Sequence, residues 1–465
     1  MRILIQNGEV VTASDQFKAE VLIEGEKVVA VGQNLGVTNA DKVYDATGHL
    51  VIPGGIDVHC HLDMPFMGTR SKDDFFTGTR AAISGGTTSI IEFCIPTKGG
   101  TIKQALADWD AKSAPKACCD YSFHMAIVDW NEGIRKELDA VFERGITSFK
   151  VFTAYKGALM LSDEEIFRLM LEVKARGGLV TAHAVNGDVL TVLADKFAAE
   201  GKLTPHYHPL CQPGYAEGEA TGRILELGNL AGQPAYIVHM TAKEAVEELV
   251  RARARGWESF GEVCTQHLTL DDSLYDLPDF EGAKYVMSPP LRKKADQEAL
   301  WAALANGTIQ VVGTDHCTFD FKGGKDMGKD DFRKIPNGLN GIEERMNMLF
   351  SYGVKSGKIP MTRFVEVTAT NPAKIFGLYP QKGHISPGAD ADVVIYNPNK
   401  EGVISAKTHN SACDYNVYEG WKILGAPHTV FVRGKVAYEN GKFVGEAGNG
   451  KFLARAAGKP QLAMV

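Results

Sequence analysis

The sequence predicts an α/β protein, a (β/α)8 TIM-like barrel with a small β-sandwich domain formed from both termini. Three observations carry this. The middle of the chain alternates short apolar runs with helical patterns. Both ends are short strands joined by tight turns. Several middle runs end in a histidine or an acid, and in a barrel the functional side chains come from the C-terminal ends of the strands.

Residues 1–54 form the first part of the β-domain. Ile3-Leu4-Ile5 and Val10-Val11 flank Asn7-Gly8, a hairpin signal, and Val21-Leu22-Ile23 and Val28 to Val31 flank Gly25-Glu26. Residues 55–380 form the barrel. Its eight apolar runs start near Ile56, Thr88, Tyr121, Ser148, Leu179, Ala235, Glu258 and Gln310. Ser162 to Glu165 and Thr241 to Glu244 fit the capping box that opens a helix. Lys293 to Asn306 reads as a further helix, stopped by Gly307. Residues 381–465 return to the β-domain and end in a tail. Asp392 to Tyr396 is a strand, and Val430 to Val444 is a meander turning at Arg433-Gly434 and Asn440-Gly441.

Composition narrows the function. Of 465 residues, 44% are hydrophobic and 23% charged, which excludes wholesale disorder. A net charge of −7 disfavours a nucleic-acid or anionic-membrane partner, either of which needs a basic patch. The eight cysteines form no CxxC pair. No apolar stretch approaches the ~18 residues needed to span a bilayer, and MRILIQNGEVV carries no signal-peptide core. A reducing, cytoplasmic setting is the expectation.

The chemistry lies at the run ends. Gly55 to Val58 leads into His59-Cys60-His61. Residues at i and i+2 of an extended chain share a face, so both imidazoles can reach one metal. The fifth run ends in His183, the sixth in His239 and the eighth in Asp315. Any one of these also fits a polar residue leaving a strand; together they point to a metal centre. Imidazole and carboxylate ligands suit zinc, with manganese, iron or cobalt as alternatives. Lys150 sits between apolar neighbours in the fourth run. A buried ammonium is costly, so Lys150 either pairs with a buried acid or has reacted with carbon dioxide. A lysine carbamate is anionic and can bridge two metals about 3.5–4 Å apart.

GGIDVHCH, SFKVFTAYK, the TAH ending at His183, the VHM around His239 and GTDHC around Asp315 together resemble the amidohydrolase superfamily. MSPPLR, IPNG, NPAKIFGLYP and PGADADVV extend the resemblance to the cyclic amidohydrolases of the dihydropyrimidinase and D-hydantoinase group over nearly the whole chain. The resemblance implies a binuclear zinc hydrolase with two Zn2+ per subunit (Mn2+ or Co2+ possible). It opens dihydropyrimidines and 5-substituted hydantoins to N-carbamoyl amino acids by a metal-bridging hydroxide. His59, His61 and Asp315 would hold one ion, His183 and His239 the other, and carbamylated Lys150 would bridge them. Asp315 would move the proton, and Tyr155 would donate to the oxyanion unless it only packs its loop. The main chain at Ser288 and Asn337 would grip a small-molecule cyclic ureide. Met64 and Phe66, with Phe152 and Leu159, would cover the ring's substituent, or else form a subunit contact. A homotetramer is also implied.

Three other readings compete. Collapsin response mediator proteins resemble this group without its metal ligands, all of which are present here. A deaminase would dispense with the bridging lysine. Allantoinase-like or dihydroorotase-like activity would keep the centre, but dihydroorotases carry HxHxR, whose arginine clamps a substrate carboxylate. Here Asp63 takes that place, beside an apolar loop, with Arg70 as the nearest substitute. Neutral ureides are therefore expected. His124, His206, His208, His316 and the β-domain histidines are expected to stay outside the centre, and His267 is left open.

Overall fold

A computed structural model describes residues 1–458 and 460. Eight parallel strands pair in chain order: Gly55–Cys60, Thr87–Cys94, Asp120–Ala126, Ser148–Phe152, Leu179–His183, Ala235–Ile237, Ser259–Cys264 and Val311–Gly313. Each begins within one residue of its expected start. Every residue in them is buried, because each strand lies between the barrel interior and a covering helix; hence the near-continuous apolar runs. Between the last and first strands, Cys60 bridges to His316 and the His61 N–H donates to the His316 carbonyl at 2.8 Å.

The helix Asp163–Ala175 opens on the expected capping box: Ser162 Oγ accepts from the Glu165 N–H, and the Glu165 carboxylate accepts from the Ser162 N–H at 2.7 Å. The box expected at Thr241 does not form. The buried Glu217, on the neighbouring helix Gly214–Ala231, accepts from the N–H groups of Thr241 and Ala242 and from the Thr241 hydroxyl. An outside carboxylate thus satisfies donors that a local cap would have taken.

Both termini build one nine-stranded sheet. Its inner face buries Ile3, Ile5, Val21, Val51, Val393 and Phe431 as a separate core. The Gly25-Glu26 turn joins Gln16–Glu24 to Lys27–Gly32. Asn7-Gly8 is not a hairpin. It is a bulge inside the single strand Arg2–Val11, with Asn7 at φ +63°. Asn7 Nδ2 donates to Asp45 at 2.9 Å, and a Cβ on Gly8 would meet Val51 at 2.5 Å. The dipeptide serves a close approach of strands rather than a reversal. The turns at Arg433-Gly434 and Asn440-Gly441 do join successive strands, all four residues at positive φ.

The sheet is fastened to the barrel by the buried Lys382, whose Nζ reaches Asp120 and Asp392 at 2.7 Å and Asp390 at 3.0 Å. Asp120 begins the third barrel strand, so this anchor lies at the end away from the site. The chain beyond the sheet returns to the barrel, where Phe452 pairs with Tyr121. All eight cysteines are buried and unpaired. Among the described residues no helix is long and apolar enough to cross a membrane.

Candidate metal centre and its cavity

His59, His61, Lys150, His183, His239 and Asp315 all line one cavity of about 600 Å3 at the C-terminal end of the strands. Tyr155, Ser288, Asn337, Met64, Phe66 and Phe152 line it too, so the structure brings the candidate ligands and the candidate substrate contacts to one place. His239, Asp315 and Tyr155 have φ of +37°, +50° and +65°. Left-handed backbone at non-glycine residues is strained and persists where the surroundings enforce it. Here it turns the chain sharply out of each strand while the side chain stays at the mouth.

The ligand atoms converge. Nε2 of His59 and Nε2 of His61 each lie 3.1 Å from the same Asp315 oxygen, and these three residues form a cluster able to hold a metal ion. Nδ1 of His183 faces Nε2 of His239 at 2.9 Å. His59 Nε2, His61 Nδ1 and His183 Nε2 are buried without a hydrogen-bond partner. Lys150 is fully buried, yet its amine has no ion pair or hydrogen bond among the described residues. Instead it lies 4.8 Å and 5.3 Å from the ring centres of Phe93 and Phe152. The buried-acid pairing is therefore not formed.

The electrostatics follow from burial and from two carboxylates. Burial pulls the Lys150 amine down to about 7 and His183 to about 3. Burial also disfavours a charged His59, but Glu262 and Asp315 outweigh it and lift that imidazole to about 9. Burial alone would raise Asp315, yet the adjoining imidazoles hold it well below the usual carboxylate range. Burial raises the Tyr155 phenol above its ordinary value, keeping it a hydrogen-bond donor at neutral pH.

Glu262 was not singled out in the sequence. Fully buried on the seventh strand, it accepts from His59 Nδ1 at 2.6 Å, from the Tyr236 hydroxyl at 2.9 Å and from the His239 N–H at 3.1 Å. With a metal bound, this contact would keep a proton on His59 Nδ1 and leave Nε2 as the ligating lone pair. An acid inside the apolar run Phe260–Cys264 was the available signal. His124 and His316 stay outside, as expected: His124 bonds Ser148 and the Val58 carbonyl, and His316 bonds Asp73. His267 is buried near the Pro289 carbonyl, off the cavity wall. His208, on the short helix Tyr207–Leu210, stays off the wall of this cavity too.

The segment after His61 forms a ribbon, Pro65–Phe66 against Thr69–Arg70. Phe66 packs edge-on to Tyr155, ring centres 5.8 Å apart, and Met64 packs with Cys317 and Phe319. Asp63 does not line the cavity; it pairs with Arg70 at 2.6 Å. Neither residue lines the cavity, so Asp63 does not take the place there that the HxHxR comparison gave it. A wider cleft of about 1190 Å3 adjoins the cavity through Tyr155, His183, Ser288 and Asn337. Its cations Lys156 and Arg333 are already paired, with Asp188 at 2.5 Å and Asp195 at 2.9 Å.

The amidohydrolase family pattern matches residues 50–448. A D-hydantoinase of Geobacillus stearothermophilus is 50% identical over 454 residues, covering 97% of this chain and 96% of the relative. A dihydropyrimidinase of Rattus norvegicus is 42% identical over 461 residues, covering 98% of this chain and 89% of the relative. The crystal structure of a dihydropyrimidinase from Brevibacillus agri NCHU1002 superimposes with a TM-score of 0.97 at 50% identity, covering 98% of this chain and 99% of that one.

Glu262 gives a direct test of the ligand shell. Glu262→Gln keeps the shape but removes the charge that orients His59. Loss of such a partner costs about 10–100-fold in metal affinity. Competition against a chelator is expected to show that loss with the thermal midpoint little changed; unaltered competition would contradict the assignment.

Proposed function

Since the chain belongs to the amidohydrolase family, in its D-hydantoinase and dihydropyrimidinase group, we propose that it hydrolyses the cyclic amide bond of 5,6-dihydropyrimidines and 5-substituted hydantoins, releasing N-carbamoyl amino acids. The observation that carries this is the meeting of four imidazoles, Asp315 and the unpaired Lys150 amine in one cavity with Tyr155 and an apolar wall.

The donor set suits divalent metal, and three of its imidazole nitrogens are buried without partners. His59, His61 and Asp315 would hold one ion, and His183 and His239 a second. Zinc fits, and manganese or cobalt would serve. Two such ions would bring the pKa of a water from 15.7 down toward ~7 and polarise the carbonyl under attack. The Lys150 amine would bond to the carbon of carbon dioxide and release a proton, adding an anionic ligand to the set. The product is an anionic carbamate, which removes the problem of an amine without a counter-charge.

The protein's own groups supply the remaining steps. Asp315 takes the proton from the attacking water and returns it to the ring nitrogen as the amide bond breaks. The Tyr155 hydroxyl donates to the carbonyl oxygen as that oxygen gains charge. The Ser288 and Asn337 segments meet the alternating N–H and C=O groups of the ring, and their side chains bond to each other at 3.3 Å. Met64, Phe66 and Phe152 cover the exocyclic substituent. A homotetramer and a cytoplasmic location belong to the same proposal.

Two outcomes test it. Tyr155→Phe removes one donor and little volume, so kcat is expected to fall about 10²–10³-fold with metal content unchanged; a change confined to KM would contradict the oxyanion role. Dihydroorotate carries a carboxylate, and the cleft's Lys156 and Arg333 are both already paired with acids among the described residues. Its kcat/KM is expected to be at least ~10²-fold below that of dihydrouracil. Equal efficiencies would overturn the preference for neutral ureides.

A further inference from the structure

Lys325 lies in the short turn Lys325–Gly328 and is completely buried. Its Nζ donates to three main-chain carbonyls, those of Val286, Pro336 and Gly338, each at 2.7 Å. An ammonium has three N–H donors and no acceptor, so these three oxygens satisfy it completely. Among the described residues no carboxylate pairs with it. Burying a cation without a counter-charge is expensive, and burial draws this one down to about 7. Three carbonyls gathered on one buried amine call for a role.

The three carbonyls indicate which role. Val286 lies two residues before Ser288, and Pro336 and Gly338 flank Asn337. The Gly338 N–H also donates to the Val286 carbonyl at 3.0 Å, stitching the two segments together. Gly338 has φ +151°, and a Cβ there would sit 2.3 Å from the Cys317 carbonyl, so only glycine allows the approach. Ser288 and Asn337 both line the cavity. Among the described residues, their own main-chain N–H and C=O groups make no hydrogen bond. Groups flanking Asn337 are thus bound inward to Lys325, while those of Ser288 and Asn337 are left for a ligand.

We propose that Lys325 is a positioning residue for substrate. Its ammonium holds the Ser288 and Asn337 segments in one register, so that their free main-chain groups meet the ureide ring together. The inference rests on the reading of this cavity as the cyclic-ureide site. Lys325 touches neither the ring nor the metal ligands, so its effect falls on binding that ground state and transition state share. Loss of such binding raises KM and leaves kcat nearly unchanged.

The test compares the wild type with Lys325→Met, which removes all three donors, and Lys325→Gln, which keeps up to two. Each is assayed with dihydrouracil and its metal content measured. For Lys325→Met, KM is expected to rise at least about tenfold, with kcat within about threefold and metal content equal to wild type. Lys325→Gln is expected to lie between. An unchanged KM would overturn the role, as would kcat and metal content falling together at constant KM. Failure of both variants to fold would also overturn it, by making Lys325 a requirement of the fold. Absence of turnover in the wild type, seen before any substitution, would overturn the functional reading and this role with it.

Discussion

Four imidazoles, a carboxylate and an amine are held at the mouth of the barrel with fewer hydrogen-bond partners than they have polar atoms. Unpaired buried polar groups each cost about 1–3 kcal/mol, and an amine without an acid costs more. Much of the remaining structure exists to impose this arrangement. Strand pairing in chain order brings the six residues to one end of the barrel. The Cys60–His316 bridge brings the first strand beside the eighth, so His59 and Asp315 become neighbours. Glu262 fixes one imidazole by its proton and the backbone of another. Lys382, at the far end, ties the terminal sheet to the third strand without intruding on the site. A scaffold that pays for unsatisfied ligands without metal recovers the cost when metal is bound.

The barrel was legible because its signals are local and repeated. A strand buried on both faces has to be apolar along its length, and eight such runs left little freedom in their order. Most candidate ligands were legible for the same reason: they end a run, and Lys150 interrupts one, where a polar side chain needs an explanation. Asn7-Gly8 and Thr241 were misread for the opposite reason. A turn dipeptide and a capping box describe a short stretch alone, while the outcome was decided by Val51 and Asp45 in one case and by Glu217 in the other. Glu262 was missed because one acid in one strand has no periodicity. Its meaning lies in its proximity to His59, 203 residues earlier in the chain. The partnership of Asp63 with Arg70 was likewise invisible until the ribbon that joins them was seen.

Around the centre the work is divided by chemical type. Rigid strands carry the ligands, where small displacements would matter most. Loops carry the groups proposed to meet the ring, and these loops are pinned from behind: Gln212 donates to Ser288 at 3.0 Å, and the Arg292 guanidinium reaches the Gln212 carbonyl and pairs with Glu217. The ribbon bearing Phe66 carries none of the candidate ligands.

The central claim is that the unpaired Lys150 amine becomes a metal-bridging anion. The most direct measurement is the metal content and turnover of Lys150→Ala, with and without a short carboxylic acid in the medium. The account predicts that the variant loses most bound metal and activity, and that the added acid restores part of both by occupying the vacated space. Full metal content and a wild-type rate without the acid would contradict it.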